Sequence, residues 1–367
     1  MHVSFAVRLG AMALLLAGSC SAVAAATSTD GPHRCEAQSR ALPTVTHTTL
    51  NGVPAILRIP THISKAPIIL WHGFGPPASE SAMMEALPLD EVDAVKVYLG
   101  LPLFRARAPA DGMKELARRQ SEDVGLEVFK PVVAGAADEL PNVVAALVEH
   151  GCMKAGSAIR LVGFSAGGAA ALYALSQGRV KIAAAVLLNP STGLSDSVQA
   201  YEKATKQTYT WSPASRELAQ QTDATAHTAD IARHRPALLF LQGANDAVLD
   251  GKAVSALCAD LTPFYGDQSS RLQCRQLTGM SHQWAADPSS LAMVRKAVGA
   301  WFMGIASAPG QRSMPCAFST SLMSNSHRLR EPLSGSPNRC CSEAISSFGF
   351  GKFTALCRPL DTYSSPN

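Results

Sequence analysis

Three polar residues of the chain are of the types that cooperate in nucleophilic catalysis, and they occur in the order Ser165, Asp246 and His282. A serine hydroxyl becomes a strong nucleophile when a histidine accepts its proton and a carboxylate orients that histidine. Each of the three residues follows a segment that we interpret as a strand, and the segments before Ser165 and Asp246 are short apolar runs. Because the carboxyl ends of parallel strands meet at one edge of a sheet, we expect the three side chains to converge there.

The segment around Ser165 predicts a strand, a very tight turn and a helix. Residues 159–162 form a short apolar run, and residues 169–175 are rich in alanine and leucine and precede Gly178. Between them, residues 163–167 read Gly-Phe-Ser-Ala-Gly, a G-x-S-x-G pattern. Side chains two positions before or after the serine would collide with the neighbouring strand and helix. The alternative is an ordinary glycine-rich turn, since the chain contains 27 glycines.

Asp246 comes after the apolar run of residues 237–241 and a short loop that contains Gly243. Two other aspartates compete for the same role. Asp250 lies further from the strand and closer to the next helix, and Asp230 precedes the strand. We therefore favour Asp246 as the orienting carboxylate, with an aspartate that caps a helix or turn as the alternative.

His282 is the histidine between the last predicted strand, residues 271–277, and the predicted final helix, residues 290–302. His227 and His234 belong to a different, polar segment. A histidine is well suited to accept a proton near neutral pH, which favours His282 as the base. The alternative is a solvent-exposed loop histidine.

The elements that must position these residues follow from the apolar runs. Residues 44–50 and 53–59 flank an Asn-Gly pair and predict a β-hairpin. Strands alternate with helical segments along the rest of the chain. This alternation predicts an α/β fold with a doubly wound, mainly parallel sheet and helices on both faces. The further predicted strands are residues 67–71, 92–99 and 183–188, and the further predicted helices are residues 113–120, 138–150 and 251–259.

The G-x-S-x-G pattern, the chain order of Ser165, Asp246 and His282, and the sequence His-Gly-Phe-Gly at residues 72–75 resemble the α/β-hydrolase superfamily over about residues 40–304. Within it, the chain looks like secreted esterases, dienelactone-hydrolase-like proteins and prolyl-oligopeptidase-type serine peptidases. The resemblance implies a serine hydrolase that cleaves carboxylic esters of small molecules through a Ser-His-Asp acyl-enzyme mechanism, with no cofactor and no metal. A serine peptidase and a catalytically silent binding protein of the same fold are the alternatives.

The same resemblance implies a role for residues 72–75 as an oxyanion segment. The backbone N–H groups of Phe74 and of Ala166, the residue after Ser165, would bind the negatively charged oxygen of the tetrahedral intermediate. The alternative is a plain turn in which His72 makes a local hydrogen bond.

Residues 1–26 predict a signal peptide. Arg8 precedes a short apolar run at residues 9–18, and small residues at 22–26 offer two cleavage sites. The run is too short to span a bilayer, so we expect a secreted or periplasmic protein without a stable membrane span. Lipid attachment at Cys20 is a minority alternative, because alanine stands where a bacterial lipobox usually has leucine.

Residues 27–304 form the predicted catalytic domain. Within it, residues 194–235 are polar, break the alternation of strands and helices, and lie where α/β-hydrolases often carry a cap. Residues 305–367 are rich in Ser, Pro and Cys without a periodic pattern, which predicts a mostly disordered tail. A small module stapled by disulfides is the alternative for this tail.

Charge and composition exclude some classes of partner. The formal net charge is +4. Residues 1–26 carry one positive charge and residues 305–367 a net three, so the central body is close to neutral and does not favour binding to nucleic acid. Arg105 and Arg107 could bind a substrate carboxylate, although arginines on a surface loop are commoner. Acyl-chain length and oligomeric state stay open at this stage.

The chain has nine cysteines, and export would place them in an oxidising compartment. Cys258 and Cys274 are close in sequence and flank a loop, which favours a disulfide between them. Cys35 and Cys152 are then the remaining pair of the body, although four cysteines allow three connectivities. The tail contains Cys316, Cys340, Cys341 and Cys357.

Overall fold

The computed structural model describes residue 35 and residues 43–304. Eight strands form one sheet in the order β1-β2-β4-β3-β5-β6-β7-β8. The strands are β1 (Thr44–Leu50), β2 (Val53–Ile59), β3 (Ile68–Trp71), β4 (Lys96–Leu99), β5 (Ile159–Phe164), β6 (Ile182–Leu188), β7 (Ala237–Asn245) and β8 (Leu272–Ser281).

The sheet is antiparallel at one end and parallel elsewhere. β1 and β2 form the hairpin predicted from the turn at Asn51 and Gly52, and β2 pairs antiparallel with β4. All pairs from β4 to β8 are parallel. The prediction of a mainly parallel, doubly wound α/β sheet is therefore confirmed.

Helices cover both faces of the sheet. The α-helices are α1 (Glu80–Ala86), α2 (Gly112–Asp123), α3 (Gly135–Glu149), α4 (Ala166–Gln177), α5 (Leu194–Thr205), α6 (Pro213–Thr222), α7 (Thr228–Ala232), α8 (Gly251–Tyr265) and α9 (Pro288–Gly304). A π-helical segment, Val124–Ala134, joins α2 to α3. Short 3-10 helices span Arg105–Arg107, Gly266–Arg271 and Trp284–Ala286.

Two hydrophobic cores lie on opposite faces of the sheet, because successive side chains of a strand point in opposite directions. Leu161 of β5 belongs to the core that includes Ala170 of α4. The next residue, Val162, belongs to the other core, with Met83 of α1 and Val298 of α9. The strands thus form a doubly covered layer that can hold loops rigidly at its edge.

The largest difference from the prediction is the helical segment Val124–Ala134, which was not anticipated. Gly125 and Pro131 lie within it, and both residue types disfavour a helix. Val128 and Val132 are nevertheless fully buried in the core. The burial of this apolar face outweighs the low helix propensity of glycine and proline. For this reason the local sequence of the segment did not indicate a helix.

Two smaller differences concern short elements before β5. Helix α1 was not predicted, although Ser79 caps its first turn by accepting a hydrogen bond from the Ala82 N–H. Strand β4 begins at Lys96 rather than at residue 92. The residues before it turn back, as the hydrogen bond from the Ala94 N–H to the Val92 carbonyl shows.

One helical run within the described residues, Gly112–Glu149, is long and apolar enough to cross a membrane by length and composition. Half of its most apolar window is buried inside the protein. Its buried apolar residues, among them Val132 and Leu140, pack in the core against the sheet, as is common for a core helix.

Two disulfides join Cys35 to Cys152 and Cys258 to Cys274, as the sequence favoured. The first bridge ties residue 35 to the loop after α3, and the second ties α8 to β8. The predicted signal peptide with Cys20, and the tail with its four cysteines, lie outside the described residues.

Candidate active site

Ser165 occupies a strained turn between β5 and α4. Its φ of 53° and ψ of −115° are values that residues other than glycine rarely adopt. A Cβ atom on Gly163 would lie 2.3 Å from the Gly167 carbonyl oxygen, and one on Gly167 would lie 2.4 Å from the His72 carbonyl oxygen. Both glycines of the pattern are therefore required by contact with backbone atoms, for the reason inferred from the sequence.

Asp246 follows β7 directly, and its carboxylate is almost fully buried. Oδ1 accepts hydrogen bonds from the Val248 and Leu249 N–H groups at 2.8 and 3.0 Å. Burial alone would raise the pKa of this carboxyl, but the hydrogen bond and charge of His282 and these two N–H groups outweigh it. The pKa of Asp246 therefore lies below its ordinary value, and the group is a carboxylate at neutral pH.

His282 lies between the aspartate and the serine. Its Nδ1 is 2.8 Å from Asp246 Oδ2, and its Nε2 is 3.1 Å from Ser165 Oγ. A carboxylate can only accept, so Nδ1 carries the proton and Nε2 is free to accept from the serine hydroxyl. The three residues thus form one continuous hydrogen-bonded chain, with the serine and histidine both less than a tenth exposed.

The competing residues have other partners. Asp250 accepts from the Lys252 N–H and caps α8. Asp230 contacts Arg233 and His227 on and beside α7. None of these side chains joins the chain formed by Ser165, His282 and Asp246 in the described part of the molecule.

His72 is fully buried and holds two loops together. Its Nδ1 donates to the Gly73 carbonyl at 2.8 Å, and its Nε2 accepts from the Leu101 N–H at 3.2 Å. Burial lowers the pKa of this imidazole, which suits the neutral form that these bonds require. The local hydrogen bond of His72, which the sequence analysis gives as an alternative, is present. It fixes the loop that carries Phe74.

Phe74 and Ala166 lie beside the serine. A Cβ on Gly73 would be 3.0 Å from the Ser165 Cβ, so the loop carrying Phe74 passes in contact with the turn at Ser165. Ala166 is the first residue of α4, where backbone N–H groups lack partners within the helix. The Phe74 ring is partly exposed and stacks on Phe104 with their centroids 5.2 Å apart.

A cavity of about 360 Å³ opens at Ser165. Its wall is largely apolar and includes Val128 and Phe129 of the π-helical segment and Leu194 and Val198 of α5. Helix α5 belongs to the segment expected to form a cap. The unexpected π-helical segment and the cap segment therefore shape the space next to the serine.

A second cavity of about 600 Å³ lies beside the first and shares Phe74, Gln120 and Val128 with it. Arg105 lies in its wall. Arg107, in contrast, donates to Glu139 Oε2 at 2.9 Å and to the Gly100 carbonyl at 3.0 Å. Arg107 is thus held in a structural ion pair. Within the described residues, no group of three or more His, Cys, Asp or Glu side chains is placed to hold a metal ion.

One supporting residue was missed by the sequence reasoning. Gln242, near the end of β7, is 6% exposed and donates from Nε2 to Asp246 Oδ2 at 3.2 Å. The same oxygen accepts from His282. The available signal was a polar residue at the end of an otherwise apolar strand, four positions before the aspartate.

Solved structures with this architecture share little sequence with the chain. The protein TT1662 from Thermus thermophilus is 18% identical with a TM-score of 0.51, over 71% of this chain and 98% of that one. A Klebsiella pneumoniae protein assigned as a dienelactone hydrolase is 14% identical with a TM-score of 0.50, over 72% and 99%. At such identities the likeness establishes a common fold.

A third solved structure is a puromycin-hydrolyzing peptidase from Mycobacterium tuberculosis. It is 17% identical with a TM-score of 0.51, over 71% of this chain and 39% of that one. The chain therefore spans about two fifths of that peptidase. Neither a family model nor a curated protein matches the sequence.

Proposed function

We propose that this chain, which has the α/β-hydrolase fold, is a serine hydrolase that cleaves carboxylic esters through an acyl-enzyme intermediate. The observation that carries the proposal is the hydrogen-bonded chain from Asp246 through His282 to Ser165, with distances of 2.8 and 3.1 Å. A serine on a strained turn, a histidine in the accepting tautomer and a buried carboxylate are the three groups that this chemistry needs.

The proposed mechanism has two half-reactions. His282 Nε2 takes the proton of Ser165 while Oγ attacks the ester carbonyl, and the protonated imidazole then gives that proton to the departing alcohol. Water attacks the acyl-enzyme with His282 again as the base, which releases the carboxylic acid and restores the serine. Asp246 keeps the imidazole oriented and stabilises its cationic form.

We further propose that the N–H groups of Phe74 and Ala166 bind the oxygen of the tetrahedral intermediate. Support comes from the contact of the loop at Gly73 with the nucleophilic turn and from the position of Ala166 at the start of α4. Such donors act where negative charge develops and can supply several kcal/mol of transition-state stabilisation.

The proposed substrate is a small ester with an apolar group next to its carbonyl. This proposal rests on the apolar wall of the 360 Å³ cavity at Ser165. Burial of a hydrocarbon group against residues such as Val128 and Leu194 would favour binding. The volume is within the range of small-molecule sites. The adjoining 600 Å³ cavity would receive the other half of the ester.

We propose the same domain organisation as the sequence indicated. Residues 1–26 would be an export signal, residues 27–304 the catalytic domain with residues 194–235 as its cap, and residues 305–367 a tail. Export is supported by the two disulfides, since such bonds persist in oxidising compartments.

Amide or peptide cleavage is the second candidate. It is favoured by the structural similarity to the mycobacterial peptidase, whose described activity is puromycin hydrolysis. The acyl-enzyme chemistry is the same for both substrate classes. A catalytically silent protein of this fold is the remaining alternative.

The test compares Ser165→Ala with the wild type on chromogenic esters and peptides and with a fluorophosphonate probe. We expect covalent labelling and ester turnover in the wild type, and a loss of several orders of magnitude in kcat in the variant. Ser176→Ala is the matched control, because this buried serine lies on α4, the helix that follows Ser165, and its hydroxyl donates to the Tyr173 carbonyl. Unchanged ester turnover in Ser165→Ala would refute the proposal, and peptide turnover alone would favour the second candidate.

A further inference from the structure

The end of β6 is attached to the nucleophilic turn on its neighbour β5. The Ser165 N–H donates to the Leu188 carbonyl at 3.0 Å, and the Ser191 N–H donates to the Ser165 carbonyl at 3.3 Å. The backbone of the serine is therefore held on both sides by residues 188–191. This segment also lies beside β7, which leads to Asp246.

Asn189 stands in the middle of this segment and reaches the other two loops of the site. Its Oδ1 accepts from the Gly243 N–H at 2.7 Å, on the strand that leads to Asp246. Its Nδ2 donates to the carbonyl oxygens of Ser281 and His282 at 3.0 and 3.3 Å. A single side chain thus links the strand of the acid to the backbone of the base.

The orientation of the Asn189 amide is determined by its partners. Two of the partners are carbonyl oxygens, which can only accept, and the third is an N–H group, which can only donate. In the reversed amide, Oδ1 would face the two carbonyl oxygens and the Nδ2 group would face the Gly243 N–H. The residue is fully buried, and all three polar positions of its amide are used. Its φ of 39° lies in the left-handed region, which asparagine tolerates better than most residues.

The ends of β7 and β8, which Asn189 links, also touch directly at Gly243. A Cβ on Gly243 would lie 2.3 Å from the Met280 carbonyl oxygen, so β8 approaches β7 as closely as backbone atoms allow. The register between the two strands is irregular between Gly243 and Asn245. The regular pairing of the two strands is thus interrupted between these two residues, and the amide of Asn189 holds the ends of β7 and β8 together at this point.

We infer that Asn189 is a positioning residue that sets the distance between His282 and Asp246. This inference rests on the proposed function, since it concerns the same site. Asn189 acts on the backbone of the loops rather than on the substrate. Catalysis is sensitive to such placement, because a displacement of about 1 Å can cost about a hundredfold in rate.

The decisive variant is Asn189→Asp, which keeps an acceptor for Gly243 but has no donor for Ser281 and His282. The expected result is a 10- to 100-fold fall in kcat, on the order of the placement effect, with a KM that changes by about twofold or less. We also expect the far-downfield proton resonance of the bond between His282 and Asp246 to shift or disappear.

Tyr265→Phe is the matched control. The Tyr265 hydroxyl is buried and donates to the Pro236 carbonyl at 2.7 Å, away from the site. Its loss lowers the melting temperature while leaving kcat and the downfield resonance unchanged. Should Asn189→Asp fail to fold, Asn189→Ser removes the link without adding a charge and serves for the same comparison.

Wild-type kcat and an unchanged downfield resonance in a folded Asn189 variant would overturn the inference. Failure of the proposed function has a different signature, namely ester turnover that persists in Ser165→Ala or is absent from the wild type. The resonance reports the geometry of His282 and Asp246 without any substrate, so it decides the role of Asn189 in either case.

Discussion

Ser165 shows how backbone strain and close packing combine at a single residue. Its positive φ places the hydroxyl at the edge of the sheet, and the strain persists because the surrounding strand and helix leave no other path. Gly167 is part of that enclosure, since its α-carbon faces the carbonyl oxygens of His72 and Trp71. The conformation of the turn therefore depends on glycine at position 167 as much as on the serine itself.

Gly167→Ala should accordingly be strongly destabilising. The added Cβ would meet the His72 and Trp71 carbonyl oxygens at 2.4 and 2.7 Å, and backbone atoms cannot move aside cheaply. We expect a large fall in melting temperature and loss of fluorophosphonate labelling of Ser165.

Gly135→Ala is the control for this prediction. Gly135 lies in a helix with a φ of −59°, and the nearest atoms to an added Cβ are 3.9 Å away. Alanine there should stabilise the protein by about 0.5–1 kcal/mol. If the two variants melted at the same temperature, the steric account of the turn would be wrong.

Among the strands, β4 contains an unusual buried charge. Lys96 is fully buried, and its Nζ donates to the Val92 carbonyl at 3.0 Å. Burial is the main cause that lowers the pKa of its amine to about 8, although Asp90, Glu91 and Asp93 oppose the shift. The protonated form is thus less favourable in the folded strand than in the unfolded chain.

The pH dependence of stability follows from this difference. Between about 8, the pKa in the folded state, and 10.5, the ordinary pKa of a lysine amine, the unfolded chain binds more protons than the folded protein. The free energy of unfolding should therefore rise with pH in this range, by at most about 1.4 kcal/mol per unit. Below this range both states are protonated, and the contribution is constant.

Lys96→Met removes the titrating group and keeps an unbranched apolar stem. We expect denaturant unfolding of this variant to lack the extra rise that the wild type shows between pH 8 and 10. The exposed Lys154→Met serves as the control and should behave like the wild type. Parallel pH curves for Lys96→Met and the wild type would contradict the assignment.

At the scale of the whole molecule, two disulfides join segments that the sheet alone does not connect. The Cys35–Cys152 bridge spans 117 residues and the Cys258–Cys274 bridge spans 16. In the chain-entropy description, a longer closed loop restricts the unfolded state more. The two bridges should therefore differ in their effect on stability.

Replacement of each pair by serine tests this difference. We expect a loss of about 3 kcal/mol for the shorter loop and about 4 to 5 kcal/mol for the longer one, measured by denaturant unfolding. The serine pairs remove the bonds in the same chemical way, so each is the control for the other. Equal stability of both variants and the wild type would show that neither bond constrains the unfolded chain.

Much of the fold and of the candidate site could be predicted because local patterns carry the information. Buried strands need continuous apolar runs, hairpin turns favour Asn51-Gly52, and the tight turn at Ser165 needs glycine at set positions. Each of these requirements concerns only a few consecutive residues, so it can be recognised directly in the sequence. They sufficed to place Ser165, Asp246 and His282 after strands of one parallel sheet.

Only the tertiary structure decided which further residues surround and support these three. The helical segment Val124–Ala134 forms despite Pro131 because its apolar face is buried, and the cavity beside Ser165 depends on how that segment and α5 pack together. Asn189 acquires its partners only when the ends of β6, β7 and β8 lie side by side. Such contacts join residues far apart in the chain, so no local pattern encodes them.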